Sequence, residues 1–118
     1  MGVTGIGGLF FRARDPEALA AWYAEHLGIR PGDDGSWEQR GGPTVFAPFP
    51  ADSDYFAADR QWMLNLRVEG LDDLAAQLLA AGIAVERRAE WDVPGVGCFA
   101  RIHDLEGNPI ELWEPDAA

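Results

Sequence analysis

Cysteine, positive charge and long apolar runs are all scarce in this 118-residue chain. Cys98 is the only cysteine, so neither an internal disulfide nor a cysteine-based zinc site is expected. No stretch approaches the about 18 consecutive apolar residues of a transmembrane helix. The first residues also lack the basic stretch that begins a signal peptide. We therefore expect a cytoplasmic protein with no membrane partner.

Positive charge is outweighed by negative charge. Nine arginines, with no lysine, stand against 20 acidic residues, and the formal net charge is −11. This excess repels the phosphate backbone of nucleic acids, so we expect no nucleic-acid partner. At long range the same charge favours a cationic or neutral ligand.

Apolar residues are plentiful enough for a folded core. Hydrophobic residues make up 47% of the chain and aromatic residues 11%, which indicates one globular domain over residues 1–118. One helix is predicted after Asp15, a favourable N-cap, with Pro16 at its first position and Gly28 at its end. A second amphipathic helix spans Leu71 to Leu78 and is closed by Gly82.

The chain contains an internal repeat. Leu9-Phe10-Phe11-Arg12 recurs 55 positions later as Leu64-Asn65-Leu66-Arg67, and the helical residues that follow keep the same offset. The first copy covers about residues 4–50 and the second copy about residues 60–115. The pattern of each copy predicts a strand, a helix and about three further strands. Neither copy buries enough surface alone, so we expect the two to pack together.

Alternation along the strands separates two faces of the sheet. One face carries aliphatic residues and is predicted to meet the helices. The opposite face collects charged, polar and aromatic residues, which are the candidate site residues: Phe10, Arg12, Met63, Asn65, Arg67, Phe99, Arg101, His103, Glu111 and Trp113.

Three stretches resemble a known family. Residues 11–16 (FRARDP) lead into Trp22-Tyr23 and Leu27-Gly28-Ile29, and residues 104–112 (DLEGNPIEL) close the chain. With the repeat, they resemble the vicinal oxygen chelate superfamily, which groups glyoxalase I, bleomycin-resistance proteins and extradiol dioxygenases. The resemblance implies an α+β fold in which two βαβββ modules form a curved mixed sheet cup with the helices on its outer face. It also implies a homodimer.

The resemblance also locates the family's metal positions. They fall on Gly8, Val45, Met63 and Glu111 in this chain. Only Glu111 suits a hard or borderline divalent metal, because Met63 offers a soft thioether and the other two offer no ligand. A catalytic metal needs about three protein ligands. We therefore predict no metal and no other cofactor, with Glu111 as the ligand if a metal is present.

Several roles stay open for the candidate residues. Glu111 is either a general base or hydrogen-bond acceptor, or the ion-pair partner of Arg12, Arg67 or Arg101. His103 either transfers a proton or satisfies a turn. The arginines either bind an anionic group or neutralise nearby acids. Aromatic residues of the cup and the loops are candidates for the walls of an apolar pocket: Phe10, Phe99 and Trp113, with Tyr55, Phe56, Trp62 and Trp91.

The preferred hypothesis is a glyoxalase- or bleomycin-resistance-like protein that binds a small molecule in the cup without a catalytic metal. The alternative is a metal-dependent lyase, isomerase or dioxygenase that uses Glu111, with His103 as the second catalytic residue. The irregular residues 48–61 (the 48–61 segment) are predicted to act as a lid or a subunit-exchange segment. Sequence alone does not name the ligand, nor say whether the cup closes within one chain or across a dimer.

Overall fold

The computed structural model describes residues 1–116, in which two α-helices pack on one face of a three-stranded sheet. The elements in chain order are α1 (Pro16–Leu27), β1 (Leu64–Arg67), α2 (Leu71–Ala80), a 3-10 turn (Ala89–Trp91), β2 (Gly97–His103) and β3 (Pro109–Pro115). The sheet order is β1-β3-β2, and central β3 runs parallel to β1 and antiparallel to β2. Neither helix of residues 1–116 has the length and apolarity needed to cross a membrane.

Helix α1 begins and ends at the predicted residues. The Asp15 carboxylate accepts a hydrogen bond from the Ala18 backbone N–H at 3.1 Å, and Pro16 occupies the first helical position. Gly28 ends the helix with a φ of 69°, a left-handed conformation that glycine adopts without a Cβ penalty. Leu19 and Tyr23 are the buried residues of this helix.

Helix α2 is capped from the sheet. The Glu114 carboxylate of β3 accepts hydrogen bonds from the backbone N–H groups of Gly70 and Leu71, at 3.0 and 3.1 Å. These groups belong to the helix N-terminus, where free donors and the helix dipole favour a negative charge. The cap fixes α2 against β3.

The predicted separation of the two sheet faces is confirmed for the second copy. The core beneath the helices takes one aliphatic set from the three strands: Leu64, Leu66, Ala100, Ile102, Ile110 and Leu112. Asn65, Arg101 and Glu111 alternate with these residues and so lie on the opposite face. The sheet therefore presents a polar and aromatic surface on the side away from the helices.

The closing turn between β2 and β3 is held by one buried carboxylate. Asp104 is 6% exposed and accepts four hydrogen bonds. The donors are the Glu106 backbone N–H at 2.9 Å, the Asn108 backbone N–H at 3.0 Å, the Asn108 side chain at 2.8 Å and the Tyr23 hydroxyl at 2.7 Å. Three bonds shape the turn, and the fourth attaches helix α1.

Glu106 makes a second attachment between this turn and the start of α1. Its carboxylate accepts hydrogen bonds from the backbone N–H groups of Arg14 and Asp15, at 2.7 and 3.0 Å. The residues between Asp104 and Asn108, which carry much of the family resemblance, thus join the helix of the first copy to the sheet of the second.

The α+β class is confirmed, but two complete βαβββ modules are not. The second copy supplies all three strands, and Glu86 adds an isolated bridge to Arg101. In the first copy only α1 forms, and residues 4–13, 36–40 and 43–48 contain no strand. A strand needs a neighbour for its backbone hydrogen bonds, and strand propensity depends on that context. These segments find no such neighbour within residues 1–116.

Candidate functional site

Glu111 lies in the middle of β3, on the face away from the helices, and is 9% exposed. Its Oε1 atom accepts a hydrogen bond from the Asn65 amide at 2.7 Å. Its Oε2 atom accepts a short hydrogen bond from the Tyr55 hydroxyl. Both carboxylate oxygens are therefore occupied, one by a residue of β1 and the other by a residue of the 48–61 segment.

The environment of Tyr55 keeps its hydroxyl protonated. The pKa of Tyr55 is raised to about 12. Burial is the largest cause, and the hydrogen bond to the Glu111 carboxylate is the second. In neutral solution the phenol is therefore a hydrogen-bond donor to a carboxylate. Charge-assisted bonds of this kind are stronger than bonds between neutral groups.

Arg101 pairs with Glu111 in the register of β2 and β3 but forms no ion pair with it. Its side chain, 7% exposed, turns to Tyr55, and Nη2 donates to the Tyr55 carbonyl at 3.0 Å. Its Cζ atom lies 4.9 Å from the centroid of the Tyr55 ring and 5.6 Å from that of the Trp91 ring. These are cation–π distances.

The Arg101 guanidinium is incompletely satisfied. Its Nε atom is buried and has no hydrogen-bond acceptor within residues 1–116. Buried donors usually have partners, because an unpaired one loses its bonds to water without replacement. An acceptor supplied from outside the chain would satisfy this donor.

A cleft of about 660 Å³ lies beside these residues. We call it the Tyr55 cleft; its lining is Asp52, Ser53, Asp54, Tyr55, Phe56, Ala57, Ala58, Glu86, Arg88, Trp91 and Arg101. Glu111 is not part of this lining, whereas Tyr55, which bonds it, is. The volume falls within the range of about 300–1,000 Å³ that is usual for small-molecule sites.

Arginine–aromatic stacking continues along the wall of the Tyr55 cleft. The Arg88 Cζ atom lies 5.2 Å from the centroid of the Trp91 ring, and Arg88 pairs with Glu86. The Tyr55 and Trp91 rings meet edge to face with centroids 6.1 Å apart. The wall therefore offers aromatic faces and guanidinium planes, which suit a flat ligand.

A second cleft, of about 210 Å³, contains Arg12 together with Tyr23, Arg60 and Trp62. Arg60 donates to the Asn108 side chain at 2.8 Å, so this cleft lies beside the closing turn. It is smaller than the usual small-molecule site.

The other predicted site residues are dispersed. Phe99 and Trp113 stack with an interplanar angle of 2°, on the same sheet face as Glu111. Met63 is half-buried. His103 is exposed at the end of β2, and Phe10 is 92% exposed. The structure thus groups Asn65, Arg101 and Glu111 and leaves Phe10, Arg12 and His103 apart from them.

Arg67 binds the protein's own backbone. It donates to the carbonyl of Arg40 at 2.6 Å and to that of Pro43 at 2.8 Å. A Cβ atom on Gly42 would lie only 2.9 Å from the Arg67 Nε atom, so the chain passes close around this side chain. Arg67 therefore fixes residues 40–44 against β1.

The surroundings of Glu111 do not fit a divalent metal. Within residues 1–116 no three His, Cys, Asp or Glu side chains lie together as a metal would require. The neighbours of Glu111 are an amide, a phenol and a buried guanidinium. An amide and a protonated phenol are weak ligands, and the guanidinium repels a cation. We therefore derive no metal-dependent step at this site.

The sequence pattern did not reveal how Tyr55 is used. Tyr55 and Trp91 were predicted as pocket walls, but nothing indicated that the Tyr55 hydroxyl reaches Glu111, 56 positions away. Tyr55 lies in a segment without periodic structure, so alternation gives it no face. The role of Arg88 was also missed, since it lies in an exposed, irregular stretch before the 3-10 turn.

Comparison with known proteins decides the family. Residues 8–113 match the glyoxalase-like domain family. The chain belongs to this family. The inferred relation to the vicinal oxygen chelate superfamily is thereby confirmed.

Solved structures of two Streptomyces proteins resemble this glyoxalase-like domain. TnmS3, an antibiotic binding protein from Streptomyces sp. CB03234, is 27% identical with a TM-score of 0.62, and the match covers 98% of this chain and 99% of that chain. A glyoxalase/bleomycin resistance protein from the same organism is 26% identical with a TM-score of 0.51, and the match covers 85% and 91%. Comparison with curated protein sequences finds no significant match.

The two tyrosines of the chain should make the stability of the fold depend on alkaline pH. The pKa of each is raised in the folded protein, that of Tyr23 by burial and the hydrogen bond to Asp104. The native state therefore holds these protons more tightly than the unfolded state. The resulting stability is complete below the unfolded tyrosine pKa of about 10 and is lost as the pH rises above it.

We expect the free energy of unfolding to fall above pH 10 by at most about 1.4 kcal/mol per pH unit for each tyrosine. Urea unfolding at several alkaline pH values measures this slope, and no lysine titrates in the same range. The Tyr55→Phe variant should show a shallower slope than the wild type. Phenolate absorbance with a midpoint near the ordinary pKa in the folded protein would contradict the prediction.

Proposed function

We propose that this protein binds a small organic molecule non-covalently in the Tyr55 cleft, without a catalytic metal. The observation that carries the proposal is the buried Arg101 guanidinium, which packs against two neighbouring aromatic rings at the cleft wall and has an unpaired Nε atom. Aromatic side chains beside converging polar groups are usual in ligand sites. Glu111, which accepts from Tyr55, lies beside the cleft.

Similarity to a solved structure supports the proposal. TnmS3 is an antibiotic binding protein, and its structure matches this chain over almost its full length. An antibiotic-like organic compound is therefore the class of ligand to test first. The buried guanidinium disfavours a cationic group at the cleft wall, even though the net charge of −11 attracts cations at long range.

The test is a binding screen of aromatic antibiotics and related natural products against the whole chain. A ligand at about 100 times its Kd should raise the free energy of unfolding by about 2.7 kcal/mol, which thermal shift detects. Trp91→Ala should weaken binding at least about tenfold, because it removes one ring from the cleft wall. Trp37→Ala is the matched control, since Trp37 lines neither cleft and is 43% exposed.

Two results would overturn the proposal. One is a panel in which no compound binds. The other is binding that Trp91→Ala leaves unchanged. Dialysis against Zn²⁺, Mn²⁺, Ni²⁺ and Fe²⁺ tests the absence of a metal separately. Stoichiometric metal that survives dialysis and is lost in Glu111→Gln would favour the metal-dependent alternative.

We further propose that the protein is a homodimer. Its accessible surface is 8821 Å², whereas a compact monomer of this mass exposes about 6,300 Å². The excess, about 2,500 Å² per chain, lies at the upper end of the about 1,000–2,500 Å² that each partner of an obligate homodimer buries. The exposed apolar residues of the first copy supply much of this surface, with Phe10 at 92%, Phe46 at 87% and Val45 at 68%.

Sedimentation at micromolar concentration tests the dimer. The wild type should sediment at twice the chain mass, and a Phe10→Glu, Phe46→Glu double variant should sediment as a monomer. Leu105→Glu is the control, because Leu105 is 56% exposed but belongs to the closing turn of the second copy. A wild-type monomer would refute the proposal.

A further inference from the structure

Tyr55 occupies the face of the sheet as a ligand would. It comes from a segment without helix or strand, yet its hydroxyl donates to Glu111 of β3 and its ring covers Arg101 of β2. Within its own segment, the Tyr55 ring meets the Phe49 ring at a tilt of 43°, with the centroids 5.7 Å apart. The polar contacts of the Tyr55 side chain are thus made with the sheet.

The strands that carry the groups receiving Tyr55 are fixed independently of it. Asn65, Arg101 and Glu111 lie on three adjacent paired strands. The Asn65 amide donates to Glu111 at 2.7 Å, which leaves the other carboxylate oxygen directed at the phenol. Residues on paired strands hold their geometry better than residues on loops. The strand backbone and the Asn65–Glu111 pair therefore persist when the Tyr55 side chain moves away.

The closed arrangement leaves one group unsatisfied. With the Tyr55 and Trp91 rings packed against the guanidinium, the Arg101 Nε atom is buried and has no acceptor within residues 1–116. Such a buried unpaired donor disfavours the closed state. Withdrawal of the Tyr55 ring uncovers the guanidinium, so the unpaired donor partly offsets the free-energy cost of opening the site.

The chemistry of the receiving surface selects one kind of occupant. Glu111 requires a hydrogen-bond donor and repels a carboxylate. Arg101 repels a cation but attracts the face of an aromatic ring. A neutral aromatic ring that carries a hydroxyl meets both requirements, as the Tyr55 side chain does.

We propose that the site binds a phenolic ligand, whose hydroxyl donates to Glu111 and whose ring lies against the Arg101 guanidinium, by displacing Tyr55. This proposal rests on the proposed function and names its ligand class. The rest of the ligand would lie in the Tyr55 cleft of about 660 Å³, because Tyr55 forms the wall between that cleft and Glu111. Trp91 would then pack against the bound compound.

The test compares two probes of nearly equal shape, 2-naphthol and 2-methoxynaphthalene, by calorimetry or NMR titration of the whole chain at neutral pH. Only 2-naphthol can donate a hydrogen bond to Glu111. In Tyr55→Ala, which removes the competing side chain, we expect 2-naphthol to bind at least about tenfold tighter than to the wild type. We also expect it to bind at least about tenfold tighter than the methoxy probe.

Two further variants connect the preference to its cause. Tyr55→Phe keeps the ring and removes only the competing hydroxyl, so it should retain the preference for 2-naphthol with a smaller gain in affinity. If Tyr55→Ala does not fold, the preference of Tyr55→Phe between the two probes tests the proposal instead. Adding Glu111→Gln to Tyr55→Ala should reduce the preference between the probes to about threefold or less, because the charge-assisted bond is lost.

Equal affinity of Tyr55→Ala for the two probes would overturn the proposal, as would no binding of 2-naphthol. If the wild type binds another compound in a Trp91-dependent way while both naphthalenes fail, the phenolic class is wrong and the proposed function stands. If nothing binds at all, both fail.

Discussion

Replacing Asp104 with alanine should lower the free energy of unfolding by about 3–5 kcal/mol. The Asp104 carboxylate is 6% exposed and accepts four hydrogen bonds. Its removal leaves the backbone N–H groups of Glu106 and Asn108 and the Tyr23 hydroxyl without their acceptor. A buried donor that loses its partner costs about 1–3 kcal/mol, so the losses add to a large fraction of the whole stability.

Tyr23→Phe is the matched variant, because it deletes one of the four bonds and keeps the ring in place. It should cost about 0.5–1.5 kcal/mol plus the loss from one unpaired carboxylate oxygen. Urea unfolding followed by tryptophan fluorescence measures both variants. If Asp104→Ala costs no more than Tyr23→Phe, the closing turn is not held by the carboxylate as described.

Replacing Gly97 with alanine should cost about 3–5 kcal/mol or prevent folding, because two effects add. The φ of Gly97 is 139°, a conformation that L-residues with a Cβ rarely adopt. The added Cβ would clash with the Glu114 carbonyl oxygen and lie 2.8 Å from the Trp113 Nε1 atom. These contacts force the start of β2 away from the end of β3.

Gly95→Ala separates strain from crowding. Gly95 has a φ of 85°, but a Cβ there meets nothing within 4 Å. It should therefore cost only the backbone strain, about 1–2 kcal/mol. Thermal and urea unfolding of the two variants give the difference. Equal destabilisation would mean that the close approach of Gly97 to β3 contributes nothing. Gly97→Ala should also disturb the Trp113 hydrogen bond to the Val96 carbonyl.

Much of the second copy could be predicted from sequence because its pattern is periodic. Alternation placed Ile110 and Leu112 in the core and Glu111 on the other face, as the structure has them. The ends of α1 followed from Asp15 and Gly28, whose local hydrogen bonds and dihedral angles need no tertiary information. These features depend on neighbours only a few positions away.

The remainder depends on contacts that no local pattern encodes. The two copies share residue types at Leu9–Arg12 and Leu64–Arg67, yet only the second forms a strand, because only it pairs with β3. Likewise, Arg101 was an ion-pair candidate for Glu111. It instead turned to the Tyr55 carbonyl and ring, since Tyr55 inserts its hydroxyl at the carboxylate. Such partner choices arise from tertiary packing.

The sheet order has a consequence for the time course of synthesis. β3, the last strand of residues 1–116 to be translated, is the central strand, so β1 and β2 have no sheet partner until it has emerged. Helix α1 is translated first, but the residues that attach it to the sheet come much later. Asp104 lies 81 positions after Tyr23, and Glu106 lies 92 positions after Arg14. Contacts so distant in sequence slow folding. The apolar faces of α1, β1 and β2 therefore lack their sheet partner until the end of synthesis.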